Sequence, residues 1–80
     1  MGTKNNPGDF DCYANADDDE PMFVLLARDR NAPATIRYWI DQRASQDGAD
    51  PVKLQEAWDC AEAMDDWREQ HVTQEQKGEK

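Results

Sequence analysis

The stretch 51-PVKLQEAWDCAEAMDDWREQH-71 decides the fold, because its apolar residues recur at helical spacing over roughly six turns. Asp50 comes directly before Pro51, and an aspartate followed by a proline is typical of a helix start. The stretch therefore predicts a helix roughly 30 Å long that ends near His71. The predicted inner face of this helix consists of Leu54, Ala57, Trp58, Ala61, Met64 and Trp67.

The opposite face of the same helix carries a row of like charges, which we call the acidic row: Asp59, Glu62, Asp66 and Glu69. Like charges three or four residues apart destabilise a helix by a few tenths of a kcal/mol, whereas solvated helices commonly mix the two signs. Helix stability therefore does not account for the row. It indicates a surface that binds a basic partner, and the alternative is a plain solvated face of an acidic protein.

Upstream, residues 33–45 are predicted to form a second helix, with Pro33 in its first turn and Gly48 as its C-terminal cap. Arg37 and Asp41 are spaced for an ion pair four residues apart. One stripe of this helix combines Ile36, Trp39, Ile40 and Arg43.

Residues 21–27 are apolar on every side, and we interpret them as a helix because no second segment alternates as a partner strand would. Residues 7–13 are expected to form a short turn that holds Phe10, and with it Tyr13, on the body. The predicted fold is all-α: a small bundle of three main helices with a short N-terminal helical turn. Residues 1–72 form a single domain, and residues 73–80 a disordered tail.

Composition narrows the classes of function. The chain has 80 residues, with 18 acidic and 9 basic side chains and a net charge of −9. A chain this short buries only about 60% of its unfolded surface, which disfavours a deep active site. The charge repels nucleic acid and anionic membranes and attracts basic partners. Neither a membrane span nor a signal peptide is recognisable, so a cytoplasmic location is expected.

No residue pattern indicates catalysis, a cofactor or a metal. His71 is expected at a fraying helix end with no nucleophile nearby in sequence. Cys12 and Cys60 lack metal-ligand spacing, so we interpret them as small packing residues, with a disulfide as the alternative.

An acidic patch comprises Asp17, Asp18, Asp19 and Glu20, but Pro21 breaks the pattern of a calcium loop. This acidic patch is either a second partner-binding patch or a group of negative charges that complements the N-terminus of the next helix.

The three tryptophans, Trp39, Trp58 and Trp67, are most simply core residues of such a small domain. An exposed Trp67 or Tyr38 would instead anchor a partner or a homodimer, because aromatic side chains contribute much of the binding energy at interfaces.

The segment 20-EPMFVLLARD-29, the residues 32–34 and 36–39, and the segment 56–64 together resemble small acidic proteins encoded by phages and prophages. The resemblance covers about residues 6–70. Some small acidic proteins of this origin occupy the nucleic-acid groove of a host protein, as certain type I anti-CRISPR proteins do. The resemblance implies a non-catalytic inhibitor of a type I CRISPR surveillance complex in the host cytoplasm. The residues themselves, and not the resemblance, assign its binding surface to the acidic row and the patch 17–20. The alternative is a structural or regulatory phage protein that acts as a homodimer or an adaptor through an aromatic helical surface.

Overall fold

The computed structural model describes residues 1–71, which form three helices and no strand. Helix α1 is Cys12–Asn15, α2 is Ala32–Ala44 and α3 is Pro51–Gln70. The predicted all-α class is therefore confirmed. The expected disordered tail, residues 73–80, lies outside the described residues.

Helix α3 begins and ends close to the predicted residues. The Asp50 side chain accepts a hydrogen bond from the Val52 N–H at 3.0 Å, which caps the first turn beside Pro51. At the other end, the His71 N–H donates to the Trp67 carbonyl at 3.0 Å. These local signals are sufficient to define the helix, so its 20 residues match the prediction.

Helices α2 and α3 pack against each other over a core of small side chains. Ala57 and Ala61 of α3 are 1% and 0% exposed, and Ala32 and Pro33 at the start of α2 are also buried. Trp39, Trp58 and Trp67 are 39%, 43% and 41% exposed, so the prediction that the three tryptophans are core residues is wrong. Two long helices contact each other along one line only. Each indole is therefore covered on one side and exposed on the other.

Helix α2 begins one residue before Pro33 and differs from its prediction in two contacts. Arg37 makes no ion pair with Asp41, because its guanidinium reaches across to α3. Gly48 does not cap the helix, which ends at Ala44. It instead has a positive φ of 79° in the turn before α3, a conformation that suits glycine.

The helix predicted over residues 21–27 is wrong. Residues 21–26 have no regular secondary structure, and a turn follows in which the Asp29 N–H donates to the Leu26 carbonyl at 2.9 Å. Short helices gain most of their stability from tertiary packing, and no element covers this run. The bundle therefore has two long helices and the short α1.

The N-terminal segment is tied to α3 by one carboxylate. Glu56 accepts hydrogen bonds from the backbone N–H groups of Asp9 and Phe10, both at 3.3 Å, and lies 3.5 Å from the Met1 amine. The Phe10 ring is half-buried, with Lys53 Nζ 5.9 Å from its centroid. Phe10 is thus held on the body as expected. Tyr13, in α1, is 78% exposed, so its expected packing on the body is wrong.

Candidate partner-binding surfaces

The outer face of α3 presents three of the four carboxylates of the acidic row to solvent without a partner cation among residues 1–71: Asp59, Asp66 and Glu69, which we call the outer carboxylates. They span roughly 15 Å along the helix axis. Asp59 is oriented by the Gln55 amide, whose Nε2 donates to its Oδ1 at 3.0 Å. All four carboxylates of the row are therefore exposed, as predicted, but only three of them lack a cation partner among residues 1–71.

Glu62, the fourth member, is bound to α2. Arg37 Nη2 lies 3.0 Å from Glu62 Oε2 and 2.9 Å from Asp65 Oδ2, and the guanidinium lies 5.0 Å above the Trp58 ring. The hydrogen bond to Asp65, with a smaller contribution from Glu62, raises the pKa of Arg37 above its ordinary value. One arginine thus pairs with two α3 carboxylates, offsets one of their two negative charges and links the helices.

The prediction of the acidic row did not include Asp65. Its signal in the sequence was Arg37, a cation on the helix that faces α3, together with the absence of a basic residue between Asp59 and Trp67 of α3. Helical spacing alone favoured the local pair with Asp41, because sequence spacing does not rank a neighbour on the same helix against a neighbour on another helix.

The acidic patch of Asp17, Asp18, Asp19 and Glu20 forms a turn of its own. The Glu20 N–H donates to the Asp17 carbonyl, and the Asp17 N–H donates to Glu20 Oε1, both at 3.0 Å. All four residues are exposed, and none forms a hydrogen bond with α3 in the described part of the chain. Because no helix follows the patch, its interpretation as a complement to a helix N-terminus is wrong.

Directly after this patch lies an exposed apolar run, which the sequence analysis predicted to be a helix. In residues 21–26, which we call the apolar segment, Phe23 is 85% exposed, Val24 66%, and Met22 and Leu26 51% each. A shallow groove of about 390 Å³ lies between α1 and this segment, lined by Tyr13, Phe23 and Val24 among others. The sequence signal for this exposed segment was an apolar run without a polar side, because two packed helices cannot cover such a run on all sides.

The histidine and the two cysteines, the residues with catalytic potential, do not form a catalytic group in the described part of the chain. His71 Nδ1 lies 2.7 Å from the Trp67 carbonyl, and its ring stacks on the Trp67 indole with centroids 4.0 Å apart. Cys12 is exposed, Cys60 is half-buried, and no disulfide joins them. Within residues 1–71, no group of three or more histidine, cysteine or acidic side chains is arranged to hold a metal ion.

Comparisons of the chain with protein-family models, with curated proteins and with solved structures gave no match. Among the described residues, no helix combines the length and the hydrophobicity needed to cross a bilayer. The surfaces themselves, one acidic and one apolar, are therefore the observations on which a proposal about function rests.

Proposed function

We propose that the protein is a non-catalytic inhibitor that occupies the basic groove of a nucleic-acid-binding protein with the outer face of α3. The observation that carries the proposal is the set of outer carboxylates, Asp59, Asp66 and Glu69, which are exposed along one helix. Lysine and arginine side chains that bind DNA phosphates would bind these carboxylates in the same way.

The remaining charge of the chain supports the same kind of partner. A net charge of −9 on 80 residues accelerates the encounter with a basic surface and repels DNA and RNA. The carboxylates lie further apart than the roughly 3.4 Å between phosphates along one DNA strand. The proposed mimicry is therefore one of charge, without a phosphate-by-phosphate match.

The proposed target is a type I CRISPR surveillance complex in the host cytoplasm, which is what the resemblance to small acidic phage proteins implies. In this role the protein competes with target DNA and has no substrate or cofactor. The patch Asp17 to Glu20 supplies a second acidic contact on the same partner.

The test is a gel-shift competition between this protein and target DNA for purified type I surveillance complexes. We expect the wild-type chain to displace the DNA, and the triple variant D59N/D66N/E69Q to require at least a roughly tenfold higher concentration. The matched control D9N/D41N/D47N changes the net charge equally at exposed acidic residues outside the row. Equal inhibition by the two triple variants, or no inhibition by the wild type, would contradict the proposal.

A second candidate function is a phage adaptor that holds a partner protein through apolar contacts, and the exposed apolar segment is the observation that favours it. Salt distinguishes the two candidates. Binding through the outer carboxylates weakens steeply as ionic strength rises, whereas binding through an apolar surface does not.

A further inference from the structure

The apolar segment has the properties of an uncovered interface. Four of its side chains, Met22, Phe23, Val24 and Leu26, are at least half exposed and lie within five consecutive residues. Soluble monomers rarely expose contiguous apolar patches of more than a few hundred Å², and larger patches mark interaction sites. The segment therefore has the character of an interaction site.

The backbone of the segment is also available for binding. The N–H groups of residues 22–25 make no hydrogen bond to any part of the described chain, and the turn to Asp29 begins only at Leu26. A chain with unpaired backbone groups and consecutive exposed apolar side chains is suited to pairing with another chain.

The charges that flank the segment indicate what pairs with it. Glu20 precedes it and Arg28 follows it, and both are exposed. We propose that a second copy of this chain binds here, antiparallel, with Val24 on the two-fold axis. In that register each Glu20 faces the second copy's Arg28, which gives two ion pairs that flank an apolar centre. This proposal does not rest on the outer carboxylates, although it shares Glu20 with the second acidic contact of the proposed function.

The same register matches the apolar side chains. Met22 lies opposite Leu26 of the second copy, and Phe23 lies opposite Leu25. Because the chain turns after Leu26, pairing of the two backbones ends there and Arg28 reaches Glu20 with its long side chain. A wholly basic partner would match the Glu20 end but not the Arg28 end, whereas a second copy matches both.

The available area is consistent with a dimer. With a side-chain area of about 200 Å², the exposed parts of Tyr13 and Phe23 alone amount to roughly 330 Å² per copy. A standard interface buries about 800 Å² per partner. Met22, Val24, Leu26 and the walls of the groove supply further area, so two copies approach that size.

The first test is sedimentation equilibrium of the full chain from low micromolar to submillimolar concentration. We expect a concentration-dependent dimer that high salt does not dissociate, because its centre is apolar. Phe23→Glu should raise the dissociation constant at least roughly thirtyfold, as expected for a central aromatic residue. Tyr38→Glu, an equal change at an exposed aromatic residue of α2, should leave it unchanged.

A charge exchange tests the register. Glu20→Arg and Arg28→Glu should each dimerise more weakly than the wild type at low salt, because each homodimer then contains two like-charge contacts. An equimolar mixture of the two variants should form a heterodimer, in which both contacts are again between opposite charges. This rescue excludes misfolding as the cause of the loss.

Three results would overturn the proposal. One is a wild-type chain that stays monomeric throughout the concentration range, which would assign the segment to a different partner. Another is a dimer that Tyr38→Glu disrupts and Phe23→Glu does not, which would place the interface elsewhere. The third is a mixture of the charge variants that dimerises no more strongly than either variant alone, which would exclude this antiparallel register.

Discussion

The packing of α2 on α3 through alanine makes Ala61 the position where an enlarged side chain should be most harmful. Ala61 is 0% exposed in the line where the two helices meet. Ala61→Leu adds an isobutyl group to a site without space for it, so the helices must separate or the new side chain must adopt a strained rotamer. Such overpacking typically costs about 2 kcal/mol.

For a domain of this size, a loss of about 2 kcal/mol lowers the midpoint of thermal unfolding by roughly 8–16 °C. The measurement is a thermal melt followed by circular dichroism, with a urea titration to give the free energy of unfolding. Ala63→Leu is the matched control, since Ala63 lies on the same helix and is exposed. Leucine and alanine differ by only a few tenths of a kcal/mol in helix propensity, so the midpoint of thermal unfolding of the control variant should barely change.

Equal melting temperatures for the Ala61→Leu and Ala63→Leu variants would refute the reasoning. That result would mean that α2 does not lie close to Ala61 in solution, and that the two helices are held together by other contacts. An Ala61→Leu variant more stable than the wild type would mean that the interface is underpacked and that leucine fills a space.

Three further predictions concern single contacts. Asp50→Ala should lower the free energy of unfolding by about 1 kcal/mol through loss of the α3 cap, and a urea titration measures it. Glu56→Ala should release the N-terminal segment, which would appear as faster amide hydrogen exchange at Phe10 with little change at Ala57. Arg37→Gln should lower the melting temperature more at low salt than at high salt, because it removes exposed ion pairs to Glu62 and Asp65, and equal losses at both salt concentrations would contradict this.

Local signals account for what the sequence predicted well. An aspartate before a proline, followed by helical periodicity, defines α3 within the helix itself, and Asp50 caps it as expected. The exposed positions of Asp59, Asp66 and Glu69 follow directly from that periodicity.

The failures concern contacts between distant parts of the chain. Residues 21–27 have the hydrophobicity of a buried helix, but whether an apolar run is buried depends on what other elements cover it. Likewise, Arg37 had one local partner by spacing and two on another helix, and only the packing angle of α2 on α3 decides between them.

The two proposed surfaces together lead to a prediction that neither makes alone. A homodimer presents the outer carboxylates twice, so a groove long enough to contact both copies would bind it with an avidity gain of about a hundredfold or more. Phe23→Glu adds a negative charge outside α3, and for a single acidic face this change should leave binding to a basic groove unchanged or slightly stronger. If inhibition depends on the dimer, the same variant should instead be a much weaker inhibitor in the gel-shift competition. The opposite signs of the two expectations make Phe23→Glu decisive: undiminished inhibition would mean that one copy acts by itself and that dimerisation, where it occurs, serves another purpose.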